Sequence, residues 1–173
     1  MTIRACGEAD APAILEIVND AAQAYRGAIP ADRWHEPYMP AEELAAEIAA
    51  GVRFWGEEVG DRLAGVMGVQ DKGEVDLIRH AYVRTAARRA GIGGRLLRFI
   101  CERTDKPVLI GTWAAADWAI DFYLKHGFRL LPTAEKDALL RRFWNVPERQ
   151  METSVVLANP RWRSQPNGQP RSA

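Results

Sequence analysis

The sequence is poor in the residues that build metal sites and covalent cross-links. Among its 173 residues are two cysteines, Cys6 and Cys101, and three histidines. The cysteines lie far apart, with no Cys-x-x-Cys and no Cys/His spacing, so neither a zinc site nor a disulfide framework is indicated and no metal is expected. A reducing, intracellular setting fits this usage best. Long apolar runs are missing too, none approaching the ~18 residues of a membrane helix. The N-terminus MTIRACGEADAPAIL lacks a basic segment followed by an apolar stretch, and the expected location is the cytoplasm. No internal repeat recurs at a period of about 20–50 residues, which sets aside repeat architectures. Nor is there an excess of charge: 23 Lys and Arg face 23 Asp and Glu. Such a balance argues against holding nucleic acid or an anionic membrane by bulk charge.

What is present describes an ordinary globular chain. The length suits one domain of about 100–200 residues, and 47% hydrophobic with 27% charged residues sets aside a disordered or fibrous chain. The charge is unevenly placed. Residues 1–76 carry six basic and fifteen acidic side chains, a net of −9, and residues 77–173 carry seventeen and eight, a net of +9. The first half is expected to meet a cation and the second an anion. From Asn159 on, the sequence has three prolines, three arginines, no acid and no aliphatic residue larger than Ala. It reads as a flexible tail over 159–173 behind a single domain over 1–158.

Residues 2–6 read as a strand, and Asp10 with Pro12 opens a helix whose buried face is Ile14, Ile17, Val18, Ala21 and Tyr25. The segment 26–40 has three prolines and two aromatics, so it is a structured loop. A short Ala-rich helix over 41–51 ends at Gly51. Three strands follow over 52–59, 62–70 and 75–83, joined by Gly60-Asp61 and by Asp71-Lys72-Gly73 as antiparallel hairpins. An amphipathic helix from Gly91 to Thr104 buries Ile92, Leu96, Phe99 and Ile100. After it come a strand over 106–113, a helix over 115–127, a strand over 128–131, a helix over 133–143 and a strand over 153–158. The order β-α-α-β-β-β-α-β-α-β-α-β predicts a mixed α/β (α+β) domain, its sheet covered by helices on both faces.

Arg88-Arg89-Ala90-Gly91-Ile92-Gly93-Gly94 sits between the end of a strand and the first turn of a helix. Glycines let a ligand approach the backbone, and the free N–H groups and dipole of a helix start suit a diphosphate. Residues 77–103 hold seven arginines and one acid, which agrees. The alternative is a glycine turn beside a solvated basic helix face. Neither a P-loop nor Gly-x-Gly-x-x-Gly fits, because no Lys-Ser/Thr follows and the third glycine is misplaced.

The run Arg-x-x-Gly-x-Gly at 88–93, behind Ala81-Tyr82-Val83, resembles the coenzyme A signature of the GNAT superfamily of acetyl-CoA-dependent N-acetyltransferases. The stretch Ala119-Ile120-Asp121-Phe122-Tyr123-Leu124-Lys125-His126-Gly127-Phe128 is similar to that family's later Phe-Tyr…Gly-Phe element. The resemblance covers roughly 2–158. It implies a mostly antiparallel, twisted sheet whose central strand, 75–83, splays from its neighbour. It also implies acetyl-CoA as co-substrate, held by backbone groups near Tyr82 and Val83 and by the amides of 89–94, with Tyr123 protonating the departing thiolate. A phenol with a pKa of ~10 can donate to a thiolate whose conjugate acid lies near ~8.5. The alternative for Tyr123 is a half-buried helix residue beside Phe122.

For a general base, strand 75–83 offers Asp76, Arg79 and His80. Strict alternation puts Asp76, Ile78, His80 and Tyr82 on one face, an assignment a bulge would change. An imidazole titrates where a base is needed near neutrality, so His80 is the candidate; a structural histidine and a water chain are the alternatives. His126 reads as a partner of its helix C-terminus, and His35 lies in the loop. Family members commonly have Asn where this chain has Asp117, which leaves a cofactor contact there open.

In the family the acceptor enters over the first two helices and their connection, here Tyr25 through Tyr38. Trp34, Glu36 and Tyr38 suit an amine on an organic body, since carboxylates attract an ammonium and aromatic faces tolerate it; packing anchors are the alternative. Asp32, Glu36, Glu42 and Glu43 are expected to draw a cationic acceptor. Residues 138–150 carry no chemistry that their composition discloses. Two functions fit: transfer of acetyl to a primary amine, small-molecule or protein, by direct attack in a ternary complex; or an acyl-CoA-binding sensor or partner module without turnover. Nucleic-acid binding by the arginines of 77–103 is a third reading, which the charge balance disfavours. Monomer and homodimer both stay open.

Overall fold

The computed structural model describes residues 1–144 and 146–164. Among the described residues seven strands are formed: β1 (Thr2–Ala5), β2 (Val52–Val59), β3 (Arg62–Asp71), β4 (Asp76–Val83), β5 (Val108–Trp113), β6 (Arg129–Leu130) and β7 (Ser154–Ala158). They make one sheet in the order β1-β2-β3-β4-β5-β7-β6. Every neighbouring pair is antiparallel except β4 and β5. Among the same residues six α-helices connect them: α1 (Ala11–Ala22), α2 (Ala41–Ala49), α3 (Ile92–Cys101), α4 (Asp117–Lys125), α5 (Thr133–Leu139) and α6 (Glu148–Glu152). The sheet is therefore mixed and mostly antiparallel, as the element order and the resemblance imply.

Helices cover both faces. On one, α3 and α4 bury Ile92, Leu96 and Tyr123 against Met67, Ile78 and Ile110. On the other, α1 and α2 cover the β1 side through Ile14, Ile17, Leu44 and Phe54, while α5 and α6 cover the β7 side through Leu139, Leu140 and Met151. Asp10 ties β1 to the start of α1: its carboxylate accepts from the Gly7 N–H at 2.8 Å and pairs with Arg4 at 2.8 Å. α2 is anchored by little apolar burial, since Leu44 is its single buried residue.

Three stretches depart from expectation. The helix expected over 133–143 is α only to Leu139 and continues as a π-helical turn, Leu140–Trp144. Pro147 then starts α6, a short helix in a stretch that carried no periodic signal long enough to read. The expected tail begins too early: Asn159 is buried, its side-chain carbonyl accepting from the Val108 N–H at 3.0 Å, and Trp162 packs on the α5 cluster. Side-chain mimicry of a ladder bond holds this segment, and composition does not reveal that. Residues 165–173 of the expected tail lie outside the described residues.

The opposite charges of the two halves meet in the fold. Glu16 pairs with Arg84, Glu47 with Arg79, Glu57 with Arg95, Asp71 with Lys106, Glu74 with Arg142 and Asp32 with Arg149, each across the 76/77 division. Much of the charge asymmetry is thus spent internally rather than on ligands.

One irregularity in β4 sets up the site. Val66 pairs with Tyr82 but Gly68 pairs with Arg79, so Met67 alone faces His80 and Ala81. This bulge puts His80 at φ 51, a left-handed conformation that His adopts more readily than most residues. Gly68 has no room for a side chain: a Cβ there would stand 2.8 Å from both the Arg79 carbonyl and the Val52 side chain. Backbone cannot yield cheaply, so Gly68→Ala is expected to lower unfolding free energy by about 1–3 kcal/mol, read by denaturant titration.

Candidate active site

β4 and β5 pair only from Asp76–Ile78 to Val108–Ile110. Beyond that the strands diverge, and the β5-facing edge of 79–83 has no ladder partner. The expected splay is present. It opens a groove of about 990 Å³ on the α3–α4 side and a chamber of about 170 Å³ on the other. Tyr25, Ala81, Tyr82 and Tyr123 line both.

The groove is built for an anion with an apolar arm. Four arginines line it, Arg88, Arg89, Arg95 and Arg98, and no Asp or Glu does. Its floor at the end of β4 is α3, whose first amides are unpaired by definition of a helix start. Arg89 (φ 66) and Gly91 (φ 75) are both left-handed there, which turns the chain so that 91–94 enter the helix facing the groove. Of the residues expected to hold a cofactor, Tyr82, Val83, Arg88, Arg89, Gly91, Ile92, Gly93 and Gly94 line the groove. Ala90 does not; its carbonyl instead accepts from Arg95 at 2.8 Å. Arg95 is further tied to the buried Glu57 at 2.6 Å, and Arg88 donates to the Ala21 carbonyl at 3.2 Å. Arg89 and Arg98 have no side-chain partner among the described residues and remain available. Asp117 is exposed and is not a lining residue. Trp118, half-exposed and tilted against Tyr25 at 4.5 Å, lines the groove without having been anticipated.

All four tyrosines of the chain converge on the chamber: Tyr25, Tyr38, Tyr82 and Tyr123. Burial pushes Tyr25 up to about 12 and drives Tyr38, Tyr82 and Tyr123 above the ordinary phenol range as well. Each therefore stays protonated across physiological pH. Tyr123 packs edge-on to Phe122 at 5.0 Å and near Phe128 at 5.7 Å. Its hydroxyl has no hydrogen-bond partner among the described residues, although buried phenols usually find one. Facing both cavities, it is left for a ligand.

The bulge corrects the alternation expected along β4. Ile78 packs with α3, while Tyr82 joins the α1–α2 cluster on the opposite face. His80 turns toward α2, stacking on Phe54 at 6.1 Å and bonding through Nε2 to Glu47 at 3.1 Å. Arg79 holds the same carboxylate at 2.9 Å and also donates to Gln70 at 2.9 Å. Burial works to raise the Glu47 carboxyl, but the bond to His80 and the Arg79 charge prevail and hold it low. His80 lines the chamber, and its Nδ1 has no partner among the described residues. Asp76 is buried beside Lys106 and lines neither cavity, so it is no candidate base. Glu47 went unread; the available signal was an acid three residues after Leu44, on the buried stripe of a short helix.

Two of the four expected acceptor residues, Tyr25 and Tyr38, are lining residues of the chamber. Trp34 and Glu36 lie one layer out. Trp34 stacks on Tyr38 at 5.6 Å and donates from Nε1 to Glu36 at 3.1 Å, and Glu36 pairs with Arg26. Asp32 is taken by Arg149 at 3.5 Å. Glu42 and Glu43 occupy the first turn of α2, where a carboxylate complements the helix dipole. Of the four acids expected to draw an amine, Asp32 and Glu36 are thus held by arginines, while Glu42 and Glu43 are exposed with no ion-pair partner among the described residues. The unassigned stretch 138–150 supplies a wall of the chamber: Leu140, Trp144, Val146 and Gln150. His126, as expected, serves its own helix end, its Nδ1 lying 2.7 Å from the Phe122 carbonyl.

Among the described residues no helix is long and apolar enough to cross a membrane, and no group of three or more His, Cys, Asp or Glu is placed to hold a metal ion.

A splayed mixed sheet with an arginine-lined groove at a helix start defines an acetyltransferase-type domain. The family model for the GNAT acetyltransferase domain matches residues 17–139, and the chain belongs to that family. No curated protein matches the sequence. Among solved structures, the ribosomal-protein-S18-alanine N-acetyltransferase of Escherichia coli is 16% identical with a TM-score of 0.67, over 97% of this chain and 98% of that one. The PaiA N-acetyltransferase of Thermoplasma acidophilum, solved with coenzyme A, is 15% identical with a TM-score of 0.66, over 92% and 99%. A GNAT family acetyltransferase of Elizabethkingia anophelis, with acetyl-CoA bound, is 18% identical with a TM-score of 0.63, over 91% and 96%.

Proposed function

We propose that the protein transfers the acetyl group of acetyl-CoA directly to a primary amine, with both substrates bound at once. The observation that carries this is the unpartnered Tyr123 hydroxyl at the junction of the groove and the chamber. A pure acyl-CoA binder has no use for a proton donor there, and this separates the enzyme from the sensor reading. The groove fits the donor: the amides of 91–94 and the arginines 89 and 98 meet phosphates, and Tyr82 and Val83 offer free backbone edge to the pantetheine arm. The bound thioester supplies the acyl carbon. His80 receives the ammonium proton at Nδ1, while Nε2 is held by Glu47. The freed amine attacks the acyl carbon, a backbone N–H of the open β4 edge meets the charge that develops on the acyl oxygen, and as the C–S bond breaks Tyr123 donates its proton to the leaving sulfur and regains one from the new amide nitrogen.

The test is thiol release from acetyl-CoA by the purified chain with and without amines; tight binding of acetyl-CoA with no amine-dependent release would favour the sensor. For the base, His80→Ala is informative: it should lower kcat by about 10²- to 10⁴-fold and leave acetyl-CoA binding unchanged, since His80 lines the chamber and not the groove. Turnover near that of the wild type would remove His80 from the reaction.

A further inference from the structure

We propose that the acceptor is a compact, singly charged primary amine on an aromatic or similarly flat apolar body, an arylalkylamine in chemical class. This rests on the acyltransfer reading above. The walls of the chamber decide it. Besides the four tyrosines they include Trp113 and Trp144, with Ile78, Ile110, Leu140 and Val146 between them. The Tyr82 ring stands edge-on to both Tyr25 (6.2 Å) and Tyr38 (6.3 Å), so ring faces and edges both border the space. An aromatic guest packs on such surfaces, and a lone ammonium is tolerated by ring faces without a counter-ion.

Charge excludes the rivals. The titratable side chains lining the chamber are the four tyrosines, Arg79 and His80, and no carboxylate is among them. Glu47 is committed to Arg79 and His80, and the loop acids Glu36 and Asp32 pair with Arg26 and Arg149 outside the chamber; Glu43 is close enough for its charge to act on Tyr38 but sits exposed in the first turn of α2 and does not line the chamber. A polyamine would bring a second and third ammonium into a space with no anion and one guanidinium. A sugar amine would find partners in the tyrosine hydroxyls, Thr112, Ser154 and Gln150, but its ring would leave the faces of Trp113 and Trp144 without the packing that an aromatic body gives.

The test is a panel under saturating acetyl-CoA with the full chain: 2-phenylethylamine, spermidine, glucosamine and an alanyl-terminated peptide, scored by kcat/KM for thiol release. The aromatic amine is expected to lead the others by about tenfold or more. Trp144→Leu should raise KM for 2-phenylethylamine about tenfold and leave KM for acetyl-CoA alone, because Trp144 does not line the groove. Preference for spermidine, glucosamine or the peptide overturns the acceptor class and leaves acyltransfer standing. Thiol release with none of a broader set of amines, despite acetyl-CoA binding, overturns both. The wild-type panel decides the matter even where Trp144→Leu fails to fold.

Discussion

Tyr123→Phe is expected to lower kcat by about 10²- to 10⁴-fold with the dissociation constant for acetyl-CoA unchanged. The change deletes one oxygen and no packing. The ring stays wedged between Phe122 and Phe128, and because the hydroxyl has no partner among the described residues, no donor or acceptor elsewhere is orphaned. A loss in turnover thus isolates proton donation rather than fold. Burial keeps the phenol protonated through the physiological range, so the wild type should show no alkaline limb from this residue below the ordinary phenol pKa. Turnover within about threefold of wild type would be smaller than any general-acid contribution and would sink the role.

Gly91→Trp is expected to weaken acetyl-CoA binding by about 10²- to 10⁴-fold, the equivalent of two charge-assisted hydrogen bonds. Position 91 matters twice over. Its φ of 75 belongs to the left-handed region, which a side chain strains, and it is the residue from which α3 departs. Gly91 is exposed, and a Cβ there would meet only the flexible end of Arg95, at 3.0 Å. The fold should therefore survive while the cradle is filled. Gly91→Ala separates the two effects, since it carries the strain without the bulk and should bind more tightly than Gly91→Trp. Calorimetry with coenzyme A reads both. Equal binding by wild type and the tryptophan variant would place the diphosphate elsewhere.

The order of elements, the hairpins and the glycine-rich helix start were legible because each is written in local pattern. Leu96 and Ile100 are spaced for a helix, and Gly60-Asp61 for a turn. What stayed hidden depends on contacts made at a distance or on departures from regular period. One extra residue at His80–Ala81 reverses which side chains share a face, and strand alternation cannot announce it. Asn159 looks like linker because its exchange with Val108, backbone N–H to the Val108 carbonyl and side-chain carbonyl from the Val108 N–H, is a long-range contact that composition does not announce. Trp144 belongs to a π-helical turn whose five-residue spacing matches neither helix nor strand period, so its approach to Gly111, 3.4 Å from where a Cβ would be, has no signature in sequence. Of the loop residues read from the sequence, Tyr25 and Tyr38 line the chamber and Trp34 and Glu36 do not, and sequence cannot tell pairing of Glu36 with Arg26 from pairing with a ligand.

The ion pairs that cross residue 76 have a consequence for synthesis. The acidic half leaves the ribosome first, and it emerges with strands β1, β2 and β3 able to pair locally but with Glu16, Glu47 and Glu57 still lacking Arg84, Arg79 and Arg95. Its self-repulsion begins to be relieved as β4 and α3 arrive, together with the bulge and the 88–94 turn. The donor-binding groove is complete once α4 and His126 have emerged, while Glu74 and Asp32 still await Arg142 and Arg149, so the charge balance of the chain trails its groove.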